Sequence, residues 1–303
     1  MLTKYVIIEG CKLILIGIEG EMVMESKLIL VEGIPGAGKT TTARKIKDQL
    51  MAEGKNVVLY EEGMSHPADM AWNAYLKKEE YAEFISKCTE MWERTEKTIS
   101  KEELINRIEV QARKEEDHVI LAYTRINFPE VRYWELIDEV AAKEIFDGRC
   151  SLKEFKEIHI TRWTNFAKKA FIEDTIYIFE CAFLQNHIFE LLSVYEKSDE
   201  EIYVYLRDLL STVKVLNPRI VYIEPENIEK IITKAAEERK SPDKSRNDWI
   251  DEVITWVENT NYGKNNNLKG IEGLFSFYKE RLRIDKVMLD KLDTPITVII
   301  RES

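Results

Sequence analysis

One stretch constrains this chain more than any other: a short apolar run that ends in a glycine-rich turn. Leu28, Ile29, Leu30 and Val31 are continuous hydrophobic residues, the pattern of a strand buried on both faces. They lead into Gly33-Ile34-Pro35-Gly36-Ala37-Gly38-Lys39-Thr40, which fits GxxxxGK[ST]. Residues 40–53 then have helix-forming composition, and Gly54 is a natural stop. Strand, turn and helix in that order build an anion cradle. Glycines let the backbone wrap a phosphate and turn its N–H groups inward. The helix N-terminus faces the same charge. Lys39 supplies a mobile cation to the β- and γ-phosphates, and Thr40 offers a hydroxyl to Mg²⁺. Gly33, Pro35, Gly36, Ala37, Gly38 and Thr41 complete the nucleotide loop, with ATP and Mg²⁺ the expected ligands. A chance match in the chain is on the order of half a percent, so the motif is read as a phosphate binder.

Four further apolar runs follow: NVVLY at 56–60, IYIFE at 176–180, RIVYIE at 219–224 and ITVII at 296–300. Helical patterns separate them, and strands alternating with helices predict a five-stranded parallel α/β sheet. The gap between the second and third runs is too long for a simple crossover. It is read as a helical insert over residues 64–174, with helices at 101–117, 131–145 and 151–170. HVILAY at 118–123 fits a strand or a buried helix. No linker divides residues 26–303, so one domain with this insert is expected. In residues 1–25, KLILIGIEG half-repeats KLILVEGIPG without a further copy. An extra strand or lead, or a native start at Met24 or Met22, would account for them. Glu19-Gly20-Glu21 requires purine-rich codons just upstream of those methionines.

Charge and cysteine content narrow the partners. Lys plus Arg is 44 against 55 for Asp plus Glu, a formal net charge of −11. A nucleic-acid binder usually shows a basic excess, so nucleic acid is a disfavoured partner. The apolar start of the chain is interrupted by Glu9 and Lys12 and falls short of the roughly 20 residues of a membrane span. Cys11, Cys88, Cys150 and Cys181 form no CxxC pair and sit at no metal-ligand spacing with His. Four reduced thiols in a cytoplasmic protein are expected, and a homodimer is left open.

GIPGAGKTTTA after LILVE resembles the phosphate loop of the P-loop kinases of nucleosides and nucleotides, the thymidylate kinase and deoxynucleoside kinase group. NVVLYEEG with His66-Pro67 and Trp72 is similar to that group's second strand, where a carboxylate at the strand end is followed by Pro and an aromatic. Asn217-Pro218-Arg219-IVYIEP, the helix at 227–238 and Arg239 look like its fourth strand, helix and arginine-bearing lid. The resemblance covers roughly residues 27–75 and 175–250. It implies a P-loop NTPase three-layer sandwich with the strand order of nucleotide kinases, a large helical acceptor-binding insert and a lid at 237–250. Where those families often carry Asp-Arg after the third strand, this chain has Phe179-Glu180-Cys181-Ala182-Phe183, so Glu180 replaces the acid and no arginine follows it.

The expected supporting residues are few. Glu180 ends a buried strand, where a carboxylate needs a partner, and with Thr40 it is expected to hold Mg²⁺. Glu62, or Glu61 beside it, is placed to take a proton from an acceptor hydroxyl. Arg239 or Arg246 is expected to close over the γ-phosphate from the lid. Arg162, Trp163 and Phe166, with Arg125 and Arg132, suit a planar or anionic acceptor, although Trp163 and Phe166 fit the insert's core as well. His66, His118, His159 and His187 are scattered and form no triad pattern. The expected activity is ATP- and Mg²⁺-dependent phosphoryl transfer to a small-molecule acceptor: a nucleoside, a nucleotide or another hydroxylated metabolite. A regulatory ATPase without an acceptor is the alternative. A nucleic-acid end kinase is opposed by the net charge.

Overall fold

The five apolar runs all become strands. The structure, a computed structural model, describes residues 6–7, 26–95, 98–129, 133–241 and 247–301. In chain order the strands are β1 (Val6–Ile7), β2 (Leu28–Gly33), β3 (Val57–Tyr60), β4 (Ala74–Lys77), β5 (Ala112–Lys114), β6 (His118–Leu121), β7 (Ile176–Glu180), β8 (Arg219–Pro225) and β9 (Ile296–Arg301). The α-helices are α1 (Lys39–Ala52), α2 (Lys78–Glu93), α3 (Lys101–Glu109), α4 (Trp134–Ala141), α5 (Leu152–Ile172), α6 (Gln185–Ser193), α7 (Asp199–Thr212), α8 (Ile228–Glu238), α9 (Trp249–Asn259), α10 (Asn261–Asn265) and α11 (Gly270–Lys291). The chain divides into two compact units, residues 1–59 with 163–303, and residues 60–162.

The first unit is an α/β layer structure on a five-stranded, all-parallel sheet flanked by helices. The order is β9-β8-β2-β7-β3, with the two-residue β1 pairing outside β9. This is the arrangement of a P-loop-like, Rossmann-type domain. Burial explains the order. Every residue of β2 and β7 is buried, as central strands require, while β3 and β9 are only partly buried at the margins. The chain leaves β2 toward the β3 side and later returns to lay β8 on the other flank of β2. That reversal makes β2 a topological switch point, where the carboxyl ends of the strands leave a crevice for a ligand.

The register aligns the site residues. Val31 pairs with Glu180, and Gly33 with Ile223. Strand β3 is separated from β2 by β7, so the strand next to the glycine-rich turn is the one that ends in Glu180. Glu61 and Glu62 follow β3.

The second unit carries, besides its helices, the antiparallel sheet β4-β6-β5. The helix expected over 101–117 stops at Glu109, and residues 112–114 pair with β6 instead. Residues 118–123 resolve to a strand over 118–121. Helical periodicity could not foresee this, because the pairing partner supplies the hydrogen bonds that end the helix. The unit has its own core of Leu76, Phe84, Leu104, Ile108, Leu121 and Tyr133. No helix among the described residues is long and apolar enough to cross a membrane. Cys88, Cys150 and Cys181 are free thiols. Cys11, Arg132 and Arg246, and nearly all of the 1–25 segment, lie outside the described residues.

Candidate functional site

The glycine-rich turn adopts backbone that only glycine takes without strain. Gly36 and Gly38 have φ of 81° and 90°, in the left-handed half of the map. A Cβ on Gly33 would lie 2.6 Å from the Ile223 carbonyl oxygen, so β8 itself requires glycine there. Ala37 N–H donates to Ile34 O at 3.2 Å, and Lys39 Nζ donates to the same carbonyl at 2.8 Å. The loop is therefore closed on itself, with the ammonium folded back inside it. Gly38 is the N-cap of α1 and Lys39 opens the helix, whose first turn holds no acidic residue. The positive end of α1 thus faces the loop without local neutralisation.

Thr40 and Glu180 meet. The Thr40 hydroxyl donates directly to Glu180 Oε1 across 140 residues of sequence. The next residue, Cys181, has φ of +67°, uncommon backbone for a side chain of that kind, and its N–H donates to Val31 O at 3.1 Å. The turn after β7 is thus tied to β2, and it holds Glu180 against Thr40 at the end of the glycine-rich loop. Two hard oxygens from a hydroxyl and a carboxylate form the donor set that suits Mg²⁺.

A buried polar layer lies beside this pair, and the sequence reading missed it. Glu32, the last residue before Gly33, is fully buried. It accepts from Phe183 N–H at 2.8 Å and Gln185 N–H at 3.0 Å. Burial pushes its carboxyl up to about 7, against those backbone donors and the positive charge of Arg281. Arg281, on α11, is also fully buried. It donates through Nε to Asp285 at 2.8 Å and through Nη1 to Gln185 O at 2.8 Å. Asp285 in turn accepts from the Tyr222 hydroxyl at 2.7 Å, and burial raises its pKa while Arg281 opposes that rise. The layer ties the loop strand, the start of α6 and the C-terminal helix into one electrostatic unit.

Helix α8 packs on the loop. A Cβ on Gly36 would approach Ala235 Cβ and Ile231 Cγ2 to 3.0 Å. Arg239 caps this helix, and its guanidinium lies 4.6 Å from the centre of the Trp249 ring, a cation–π contact at the expected lid. Opposite, Arg301 at the end of β9 donates through Nη1 to Ala37 O at 3.0 Å. No sequence signal pointed to Arg301, since it stands at the end of an ordinary apolar strand.

In the second unit the Glu62 carboxylate accepts from Trp72 Nε1 at 3.2 Å, and its carbonyl accepts from Arg125 at 2.5 Å. Trp72 is half exposed and has φ of +60°, strained backbone for an aromatic residue. Glu61 bends into the following turn, where its carbonyl accepts from Met64 N–H at 3.2 Å. Arg162 is buried and donates to Glu115, His66 O and Ala68 O. It pins the 66–68 segment. In the first unit Trp163 and Phe166 are buried around Phe179, so the aromatics belong to a core. Burial also lowers His66 and His159, the latter to about 3, which keeps both rings neutral. No family model matches the chain, and no curated protein matches it.

Proposed function

We propose that this protein transfers a phosphoryl group from ATP, with Mg²⁺, to a small hydroxylated acceptor. The observation that carries the reading is the loop of residues 33–40, wound through left-handed glycines onto the N-terminus of α1, with Thr40 bonded to Glu180 on the neighbouring strand. Backbone N–H groups of the loop and the helix end bind the phosphates. Lys39 leaves Ile34 O for the β- and γ-phosphates. Thr40 and Glu180 would hold Mg²⁺, which when bound neutralises developing charge on the phosphate oxygens. Arg239, stacked on Trp249 at the end of α8, covers the γ-phosphate when the lid closes, and Glu62 is kept as the expected base for an acceptor hydroxyl. Arg246 is proposed to share that role.

The acceptor belongs to the nucleoside, nucleotide or hydroxylated-metabolite class. The test is a screen of purified protein with ATP and Mg²⁺ against nucleosides, nucleotides and aminoglycosides, reading ADP release. Release that rises at least tenfold with one acceptor class is the expected result. Slow release that no acceptor changes would favour a regulatory ATPase instead.

A further inference from the structure

We propose that Arg301 is a phosphate-binding residue, a second cation that the fold holds against the loop of residues 33–40. The proposal rests on the nucleotide-binding reading above and extends it to a residue about 260 positions downstream that no motif marks.

The backbone of Arg301 is fixed by the sheet. It pairs with Pro225 in the β8–β9 register, and its carbonyl accepts from Glu226 N–H at 3.2 Å. Strand β9 runs parallel to β2, so its carboxyl end comes out at the same edge as the loop. From there the side chain reaches over Gly38. A Cβ on Gly38 would fall 1.2 Å from Nη1 and 2.5 Å from Cζ. The guanidinium therefore occupies the space that a side chain at Gly38 would need. Gly38 is left bare, by this account, partly so that a cation can lie on the loop.

Charge supports the same conclusion. The guanidinium has five N–H donors, and its hydrogen bond is to a loop carbonyl, Ala37 O. Lys39 likewise donates to a loop carbonyl, Ile34 O. Among the described residues neither cation forms an ion pair with a carboxylate. Both lie beside the positive end of α1, where no first-turn acid compensates them. Asp285 lies within electrostatic reach of Lys39, and the repulsion of two like charges at a helix N-terminus is relieved further when an anion joins them. A polyphosphate supplies that anion, and a guanidinium binds it through paired, charge-assisted hydrogen bonds. A short swing of a flexible side chain, away from Ala37 O, makes the contact. The ligand chemistry is the polyphosphate chain rather than the base or ribose.

The test titrates the full-length protein with ATP and with inorganic tripolyphosphate, in wild type, R301A, R301Q and K39A, at two salt concentrations. Gln retains a donor for Ala37 O and removes the charge, so it separates anion binding from support of the loop. R301A and R301Q should both weaken ATP and tripolyphosphate about tenfold, with a shallower salt dependence than wild type. ATP weakened with tripolyphosphate unaffected would put the contact on the base or ribose and overturn the proposal. So would R301Q binding like wild type, which would leave Arg301 as a loop support. If K39A loses binding while both Arg301 variants bind normally, this inference fails and the nucleotide reading stands. Failure of the wild type to bind either probe overturns both.

Discussion

Arg162 in the unit of residues 60–162 and Arg301 beside the glycine-rich loop are the same residue type in opposite states. Arg162 is buried with all three guanidinium nitrogens engaged, on Ala68 O, Glu115 and His66 O. Arg301 is exposed and donates to Ala37 O. Arg281 stands between them: fully buried, with two nitrogens engaged and Nη2 without a hydrogen-bond partner among the described residues. An arginine whose fork is filled by the protein holds chain segments together. One whose fork stays open on a glycine loop has capacity for a ligand. The difference lies in the partners that tertiary structure supplies.

The largest effect should come from removing the filled fork. R162A removes the buried hydrogen bonds from Arg162 to the carbonyls of His66 and Ala68, at about 1–3 kcal/mol each. The half-buried Glu115 adds less, since solvent screens it. A loss of about 4 kcal/mol in the unfolding free energy from urea titration is expected, with ATP affinity of the folded protein within about twofold of wild type. A stable R162A with ATP affinity down tenfold would reverse the roles assigned to the two arginines.

Glu32 sharpens the comparison from the side of the buried layer. Its folded pKa, about 7, lies above the ordinary carboxyl value of 4.5. The native state therefore holds this proton when the unfolded chain has released it. The resulting stabilisation is complete below about 4.5 and is lost as pH rises through about 7. E32Q removes the titration, although its amide faces one of two N–H donors and lowers stability at every pH. Between pH 5 and 8 the wild type should lose about 2 kcal/mol relative to E32Q. Melting curves of both proteins across that range measure it, and a constant difference would mean that Arg281 and the backbone donors keep Glu32 ionised throughout.

These contrasts explain what the sequence made legible. The central strands could be read because burial on both faces writes continuous apolar runs such as Leu28–Val31 and Ile176–Phe179, and β3 and β9 because their runs are apolar although only partly buried. The loop could be read because its φ angles demand glycine at Gly36 and Gly38, a local requirement. Thr40 and Glu180 could be paired because one follows β2 and the other ends β7, strands that the fold makes neighbours. Glu32 and Arg281 could not be read. A glutamate before a glycine turn looks like a solvated strand end, and a charged residue on α11 looks like the wet face of an amphipathic helix. Burial of Glu32 depends on the facing N–H groups of Phe183 and Gln185, and burial of Arg281 on Asp285 and the Gln185 carbonyl, partners that are not visible beside either residue in the sequence. Arg301 was hidden for the same reason, because its meaning depends on the space above Gly38. Residues 112–114 were read as helix because a strand's partner is not visible in its own three residues. Trp163 and Phe166 fitted either a site or a core, and the surrounding aromatic residues decided for the core.

The central claim is that the loop, Thr40 and Glu180 form one Mg²⁺–nucleotide site, and ATP titration by calorimetry, with and without Mg²⁺, tests it most directly. Wild type and E180Q are compared, since glutamine keeps the shape and the hydrogen bond to Thr40 while removing the charge. The account predicts that Mg²⁺ tightens ATP binding at least tenfold in the wild type and by less than about threefold in E180Q, with Mg²⁺-free affinity nearly equal in the two. Equal tightening in both proteins would contradict it and leave Glu180 a structural strand end.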